Sequence, residues 1–291
     1  MGSRQSIRKP ICNIVFGGVM TEKPLQGMWA LILGASSGFG GATARALAAA
    51  GMNIAGVHLD LRATLPAAKA VVADIEAAGS RALFFNTNAA DQDRRAKVLD
   101  GIEAALASSG SEHRIHVLMH SLAFGSLLPF IADNPEEAIS QAQMEMTSNV
   151  MAHSLVYWVQ DLVRRDLLGQ GSRVFSMTSE GSRVVVPSYG AVSAAKAALE
   201  SHTRQLALEL GSRGILVNCI QAGVTDTPAL RRIPGNERMI EASLHRNPSG
   251  HLTVPEDVAA TIVALSHPGV RFVSGSVIVV DGGEAAVGGF E

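Results

Sequence analysis

The stretch Trp29-Ala30-Leu31-Ile32-Leu33-Gly34-Ala35-Ser36-Ser37-Gly38-Phe39-Gly40 decides the fold. Five consecutive apolar residues without alternation read as a strand buried on both faces, the pattern of a parallel sheet. The run breaks at Gly34, and an alanine-rich helical pattern follows over 42–50 until Gly51 stops it. The spacing of Gly34, Gly38 and Gly40 lets a chain turn tightly, approach a pyrophosphate and pack a helix closely on a strand. Glycines alone are weak evidence; the strand before them and the helix after give them meaning. The stretch reads as the opening half of a dinucleotide-binding unit. Gly34, Ser36, Ser37, Gly38, Phe39 and Gly40 are its expected cofactor contacts.

Working outward, the same alternation recurs. Strands are expected over 29–33, 53–59, 82–86, 116–120, 173–178, 216–220 and 276–280, and helices over 42–50, 67–78, 94–108, 139–168 and 189–210. Strands alternating with helices predict an α/β, Rossmann-like, doubly wound parallel sheet of about seven strands. No second composition regime and no fixed-period repeat appears, so one domain is expected over 28–291, after an N-terminal extension over 1–27.

Composition narrows the class. Of 291 residues, 47% are hydrophobic and 17% charged, enough to fill a large core. A net charge of −2 gives no basic field for nucleic acid. Two cysteines, Cys12 and Cys219, make no disulfide framework and suggest a reducing, cytoplasmic compartment. Arg4, Arg8 and Lys9 precede the apolar run 11–20, but Asn13, Gly17 and Gly18 interrupt it, unlike a cleaved signal. No uninterrupted apolar run reaches about 18 residues, so no membrane span is expected. Nor do the nine histidines form a zinc-binding spacing, and no metal is expected.

The end of the second strand bears on cofactor choice. A carboxylate there accepts hydrogen bonds from the adenosine ribose hydroxyls and repels a 2′-phosphate; a basic residue does the opposite. The chain reads Val57-His58-Leu59-Asp60-Leu61-Arg62, with His58 where the acid is usual and Asp60 and Arg62 pulling opposite ways. The reading leans to NADPH over NADH. Asn88 and Ala89, after the third strand, are expected near the adenine. Ser121, after the fourth, is expected at the sheet edge that meets the ligand. His120 is read as structural.

A second stretch, Ser188-Tyr189-Gly190-Ala191-Val192-Ser193-Ala194-Ala195-Lys196, opens a helical pattern. Seven residues span about 700° at 3.6 per turn, so Tyr189 and Lys196 share a helix face two turns apart. A phenol titrates near 10, and bringing it near neutrality takes about 4 kcal/mol. The lysine ammonium and an oxidised nicotinamide are candidate sources. Ser179, ending the fifth strand, adds a hydroxyl that can donate to a substrate carbonyl.

The order Gly34-x3-Gly38-x-Gly40, Ser179, Tyr189, Lys196, Asn218, Gly223 to Thr227 and Asp281-Gly282-Gly283 resembles the short-chain dehydrogenase/reductase family over residues 28–283. Most members place the lysine four residues after the tyrosine; here position 193 is a serine. The seven-residue separation resembles the branch that contains bacterial enoyl-acyl-carrier-protein reductases. His120-Ser121-Leu122-Ala123, the run 194–200 and Gln221-Ala222-Gly223 point the same way, and 226–234 resembles the NADPH-using members. The resemblance implies that Tyr189 supports an enolate or donates a proton and that Lys196 holds the nicotinamide ribose. It further implies that Gly223 and Thr227 contact the cofactor and that the chain forms a homotetramer or dimer. Ser179 departs from enoyl reductases with a second tyrosine there, and many ketone reductases carry serine.

Residues 226–248 match the family's substrate loop. Arg231, Arg232, Arg238 and Arg246 could receive an acidic acyl carrier protein, or lie on a solvated lid helix. Three functions follow in order: reduction of an enoyl thioester in fatty-acid synthesis, reduction of a 3-oxoacyl thioester or other ketone, and cofactor sensing without turnover.

Overall fold

A strand buried on both faces needs helices above and below it, and the computed structural model, which describes residues 24–108 and 114–287, supplies them. Seven strands form one parallel sheet: β1 Trp29–Leu33, β2 Asn53–His58, β3 Ala82–Asn86, β4 Ile115–His120, β5 Arg173–Ser179, β6 Leu216–Ala222 and β7 Val277–Val280. Their order is β3-β2-β1-β4-β5-β6-β7. The chain winds outward from β1 in one direction, returns, and winds outward the other way from β4. That reversal opens a crevice at the carboxyl ends of β1 and β4, where a nucleotide binds in such sheets. All five residues of β1 are buried.

The helices are α1 Gly38–Ala49, α2 Leu65–Ala77, α3 Gln92–Ala107, α4 Gln141–Ser148, α5 Ser154–Arg164, α6 Gly190–Leu210, α7 Asn236–Arg246 and α8 Pro255–Ser266. On one face of the sheet, α3, α5 and α6 enclose a core that contains Leu31, Leu99, Trp158, Leu199 and Val217. On the other, α1, α2 and α8 enclose Leu47, Ile75, Phe175 and Ile262, together with Leu25. Helix α5 shows how the faces are chosen. Leu155, Trp158, Val159 and Leu162 recur at i, i+3, i+4 and i+7, and all four are buried. Each such side chain contributes about 1.5–3 kcal/mol by leaving water. The Trp158 indole donates to the Ala89 carbonyl at 2.8 Å, so its buried N–H is paired.

Local chemistry starts several helices. Asp91 caps α3 by accepting from the Arg94 amide at 2.9 Å. Ser140 and Gln143 form a reciprocal capping box on α4. Pro255 occupies the first turn of α8, and Asp257 accepts from the Val254 amide at 3.0 Å.

Several boundaries differ from expectation, among them the start of α1, at Gly38 rather than 42. The helix expected over 139–168 is α4 and α5 joined by a π-helical turn, Asn149–His153. Tyr189 caps α6 instead of lying in its first turn. Helix α8 was not expected: its small-residue pattern resembles strand as much as helix until Pro255 and Asp257 fix its start. Expectations for residues 1–23 and 288–291, including Cys12, lie outside the described residues. Among the described residues, no helix is long and apolar enough to cross a membrane. Among the same residues, no group of three or more His, Cys, Asp or Glu could hold a metal ion.

Candidate active site

The glycine turn sits at the crevice. Gly34 has φ +92°, and any side chain there would run into the Ser121 carbonyl. A side chain at Gly40 would run into the Gly34 carbonyl. Both positions therefore require glycine, for close approach of strand, turn and helix. The Gly34 amide donates to Val57 at 2.8 Å and the Ser121 amide to Leu33 at 2.8 Å, tying the turn to β2 and β4. Ser37 precedes α1 in extended conformation without capping it, and the first turn holds no acid. The positive end of the helix thus keeps backbone N–H groups for an anion, which fits the pyrophosphate of a dinucleotide. The Thr227 methyl faces Gly38, 3.8 Å from where a β-carbon there would stand. Thr227 is buried, and its hydroxyl accepts from the Leu230 amide at 3.2 Å. Phe39 packs its ring on the core beneath α1.

At the ribose end, His58 Nδ1 and Asp60 Oδ2 lie 2.8 Å apart. Asn86 clasps the Asp60 backbone, accepting from its amide and donating to its carbonyl, both at 2.9 Å. Partial burial raises the Asp60 pKa, but hydrogen bonds from Thr64, Ser36 and His58 more than offset this and leave it below the usual value. The carboxylate accordingly stays ionised beside Ser36 of the glycine turn. Arg62 is exposed and points to no partner among the described residues. Asn88 turns its carboxamide onto the Ala90 amide at 3.0 Å, and Ala89 is pinned under Trp158, so any contact of theirs with a ligand falls to their remaining groups.

The second constellation meets at the end of β5. Tyr189 is partly buried against the core, and its ring lies against Gly181, where a β-carbon would stand 2.7 Å from it. Ser188, with φ +60°, turns the chain into α6 through the left-handed region, a strained conformation typical of functional turns. Ser179 Oγ is buried without a fully formed hydrogen bond to protein. It is nevertheless near enough to the Tyr189 phenol to lower its pKa, against burial that raises it. Burial wins, and the phenol sits above its ordinary value of 10.0. A buried hydroxyl beside a phenol is an arrangement that can offer two donors to one oxygen.

Lys196 lies two turns along α6 from Tyr189, as the spacing predicts. Its Nζ donates to the Met177 carbonyl at 2.6 Å and is not bonded to Tyr189. Burial lowers its pKa to about 8, with the nearby Cys219 thiol opposing the shift. The shift of the phenol comes from burial and Ser179, with no contribution from Lys196 two helical turns away. Behind them, His120 Nε2 lies 2.8 Å from Ser154 Oγ, which donates to the Val150 carbonyl in the π-helical turn. Burial first, and the Lys196 charge second, depress the His120 pKa to about 3, so it is neutral. Cys219 is a buried free thiol, 2.8 Å from Ser176 Oγ.

Sequence reasoning missed the charges that flank Ser179. Thr178 donates to the buried Glu200 at 2.8 Å, and Arg246 reaches Glu180 at 2.8 Å. These partners lie 22 and 66 residues apart, beyond any local pattern.

The fold and the two constellations describe a nicotinamide-nucleotide oxidoreductase, and the comparisons narrow the family. A family profile described as enoyl-(acyl carrier protein) reductase matches residues 34–284. A cis-4-hydroxycyclohexanecarboxylate dehydrogenase of Sinomonas cyclohexanicum is 33% identical, with 89% of this chain and 96% of that protein aligned. A 3-oxoacyl-[acyl-carrier-protein] reductase of Synechocystis is 30% identical, covering 87% of this chain and 95% of that one. The NADH-dependent enoyl-[acyl-carrier-protein] reductase of Aquifex aeolicus is 30% identical over a shorter span, 60% of this chain and 64% of its own. A short-chain dehydrogenase from Burkholderia cenocepacia, solved in complex with NADP, superposes with a TM-score of 0.74 at 30% identity, covering 90% of this chain and 99% of that one. The chain belongs to the short-chain dehydrogenase/reductase family and is an NAD(P)-dependent oxidoreductase.

Proposed function

We propose that the protein reduces the carbon–carbon double bond of an enoyl thioester. The observation that carries this reading is the seven-residue Tyr189–Lys196 separation, with Ser193 at the intermediate position and Tyr189 beside the buried Ser179 hydroxyl. The family profile, described by the same activity, supports it. A nicotinamide held by the glycine turn and Lys196 would supply the hydride that the β-carbon needs. Tyr189 and Ser179 donate hydrogen bonds to the thioester oxygen as enolate charge develops there. Because burial holds the phenol protonated, Tyr189 is poised to give its proton rather than to act as a standing phenolate. Lys196 holds the ribose hydroxyls with Nζ, anchored by Met177. The segment 226–248 would cover the pocket, with its own Leu230 and Ile233 buried.

For the cofactor, the NADP complex of the Burkholderia relative supports NADPH, whereas the Asp60 carboxylate opposes a 2′-phosphate. The carboxylate weighs more, because it is this chain's own and it faces Ser36. We therefore take NADH as preferred, reversing the lean drawn from sequence. Higher kcat/KM with NADH, and a shift toward NADPH in Asp60→Asn, would support that assignment; preference for NADPH in the parent contradicts it. The homodimer or homotetramer, the cytoplasmic setting and an acyl-carrier-protein partner belong to the same proposal. Arg231 is tied to Asp226 and Arg246 to two glutamates, which leaves Arg232 and Arg238 to meet an acidic carrier.

Reduction of a 3-oxoacyl thioester is the second reading, favoured by Ser179 and by the broader alignment with the Synechocystis enzyme. Here Tyr189 gives its proton to an alkoxide. A sensor without turnover has no need of the buried Ser179–Tyr189 pair. Initial rates with crotonyl and acetoacetyl thioesters, each with NADH and NADPH, separate the readings. Faster consumption of the crotonyl thioester supports the enoyl assignment, and turnover of acetoacetyl alone removes it.

A further inference from the structure

Ser179 is held from both sides by charge. The residue before it, Thr178, donates to Glu200 of α6. The residue after it, Glu180, accepts from Arg246 at 2.8 Å, and Arg246 is the last residue of α7, in the segment over the pocket. The same Nη2 donates to Glu284 at 2.9 Å. Glu284 is only 2% exposed, and its other oxygen faces the Val224 amide at 3.3 Å, in the loop between Gly223 and Thr227. One guanidinium thus joins four elements: the lid helix, the end of β5, the C-terminal turn and the loop that faces the glycine turn.

Exposed ion pairs contribute little, but a carboxylate as buried as Glu284 cannot be left without its counter-charge. Glu284 therefore fixes where Arg246 sits, and Arg246 in turn fixes Glu180. Gly181, one residue further on, is the surface against which the Tyr189 ring packs.

We propose that Arg246 is a positioning residue that couples the seating of helix α7 to the alignment of Ser179 and Tyr189. When the lid helix is in place, Arg246 draws Glu180 toward Glu284 and sets the backbone on which the hydroxyl pair depends. When the lid helix lifts, the strand end loses that restraint. This rests on the Ser179–Tyr189 assignment, though not on which double bond is reduced.

Hydrogen exchange tests the coupling without any substrate. In Glu180→Gln, amides over 180–184 should exchange about tenfold faster while those of α7 keep parent rates, because Glu284 still anchors Arg246. In Arg246→Met, both segments should loosen together, and Arg246→Lys should restore most of the protection. Unchanged exchange over 180–184 in Glu180→Gln overturns the coupling, as does loosening of α7 alone in Arg246→Met. If Arg246→Met does not fold, Glu180→Gln decides, since Glu180 is partly exposed. In whichever thioester assay shows turnover, Glu180→Gln should lower kcat about tenfold with the cofactor KM unchanged, since the loss falls on alignment and not on binding. A kcat equal to the parent's overturns the proposal, while absence of turnover in the parent defeats only the reductase reading.

Discussion

A phenol packed against Gly181 and beside the buried Ser179 hydroxyl is the centre of the proposed chemistry. Tyr189→Phe removes the proton and keeps the ring against Gly181, so turnover should fall by roughly 10²–10⁴-fold. Cofactor affinity, measured by fluorescence titration, should stay nearly unchanged; equal turnover in the variant contradicts the assigned role. Lys196 gives a pH signature. Its pKa is depressed from 10.5 to about 8, so the buried ammonium costs stability below pH 8 and that cost is relieved as pH rises from 8 toward 10.5. On the proposed role of Lys196, cofactor binding needs the charged form, so the dissociation constant should rise as pH passes about 8. Lys196→Met should bind weakly with no alkaline loss. A parent curve flat to pH 10 would show that the ammonium is not used.

At the scale of elements, the structure explains which parts were readable. Apolar-rich runs located every strand to within two residues, most plainly β1, whose five residues are all buried and so have no freedom to alternate. Gly34 and Gly40 were legible as a turn because only glycine fits against the facing carbonyls. The π-helical turn was not, since Ser154 bonds back to Val150 through a contact that periodicity does not encode. The Lys196–Met177 contact, the flanking carboxylates and α8 were also hidden, being set by partners distant in sequence or by start residues outside the apolar pattern. Two stability predictions belong here. His120 is neutral with a pKa of about 3, below its unfolded 6.5, so the unfolded chain takes up the proton first. Stability should thus fall as pH drops from 6.5 toward 3. His120→Gln, which can still donate to Ser154, should show a smaller acid loss in urea midpoints at pH 4 and 7; an identical loss contradicts the assignment. Leu199→Ala, in the core-facing stripe of α6, should cost about 2–5 kcal/mol in urea unfolding. A cost under about 1 kcal/mol would mean that α6 is not anchored by that core.

Across the whole molecule, strand order ties these local features together. The reversal between β1 and β4 brings the glycine turn, Ser121 and the ends of β5 and β6 to one edge of the sheet, so residues more than 150 apart in sequence share a site. The seven-stranded doubly wound fold and the family were legible from sequence. The bond reduced was less so, because Ser179 serves both readings and the pocket cover meets the substrate only once folded. Competition decides this most directly: equimolar crotonyl and acetoacetyl thioesters, with NADH and NADPH both present, and products resolved by mass spectrometry. The account predicts butyryl thioester as the main product, and predominance of 3-hydroxybutyryl thioester would contradict it.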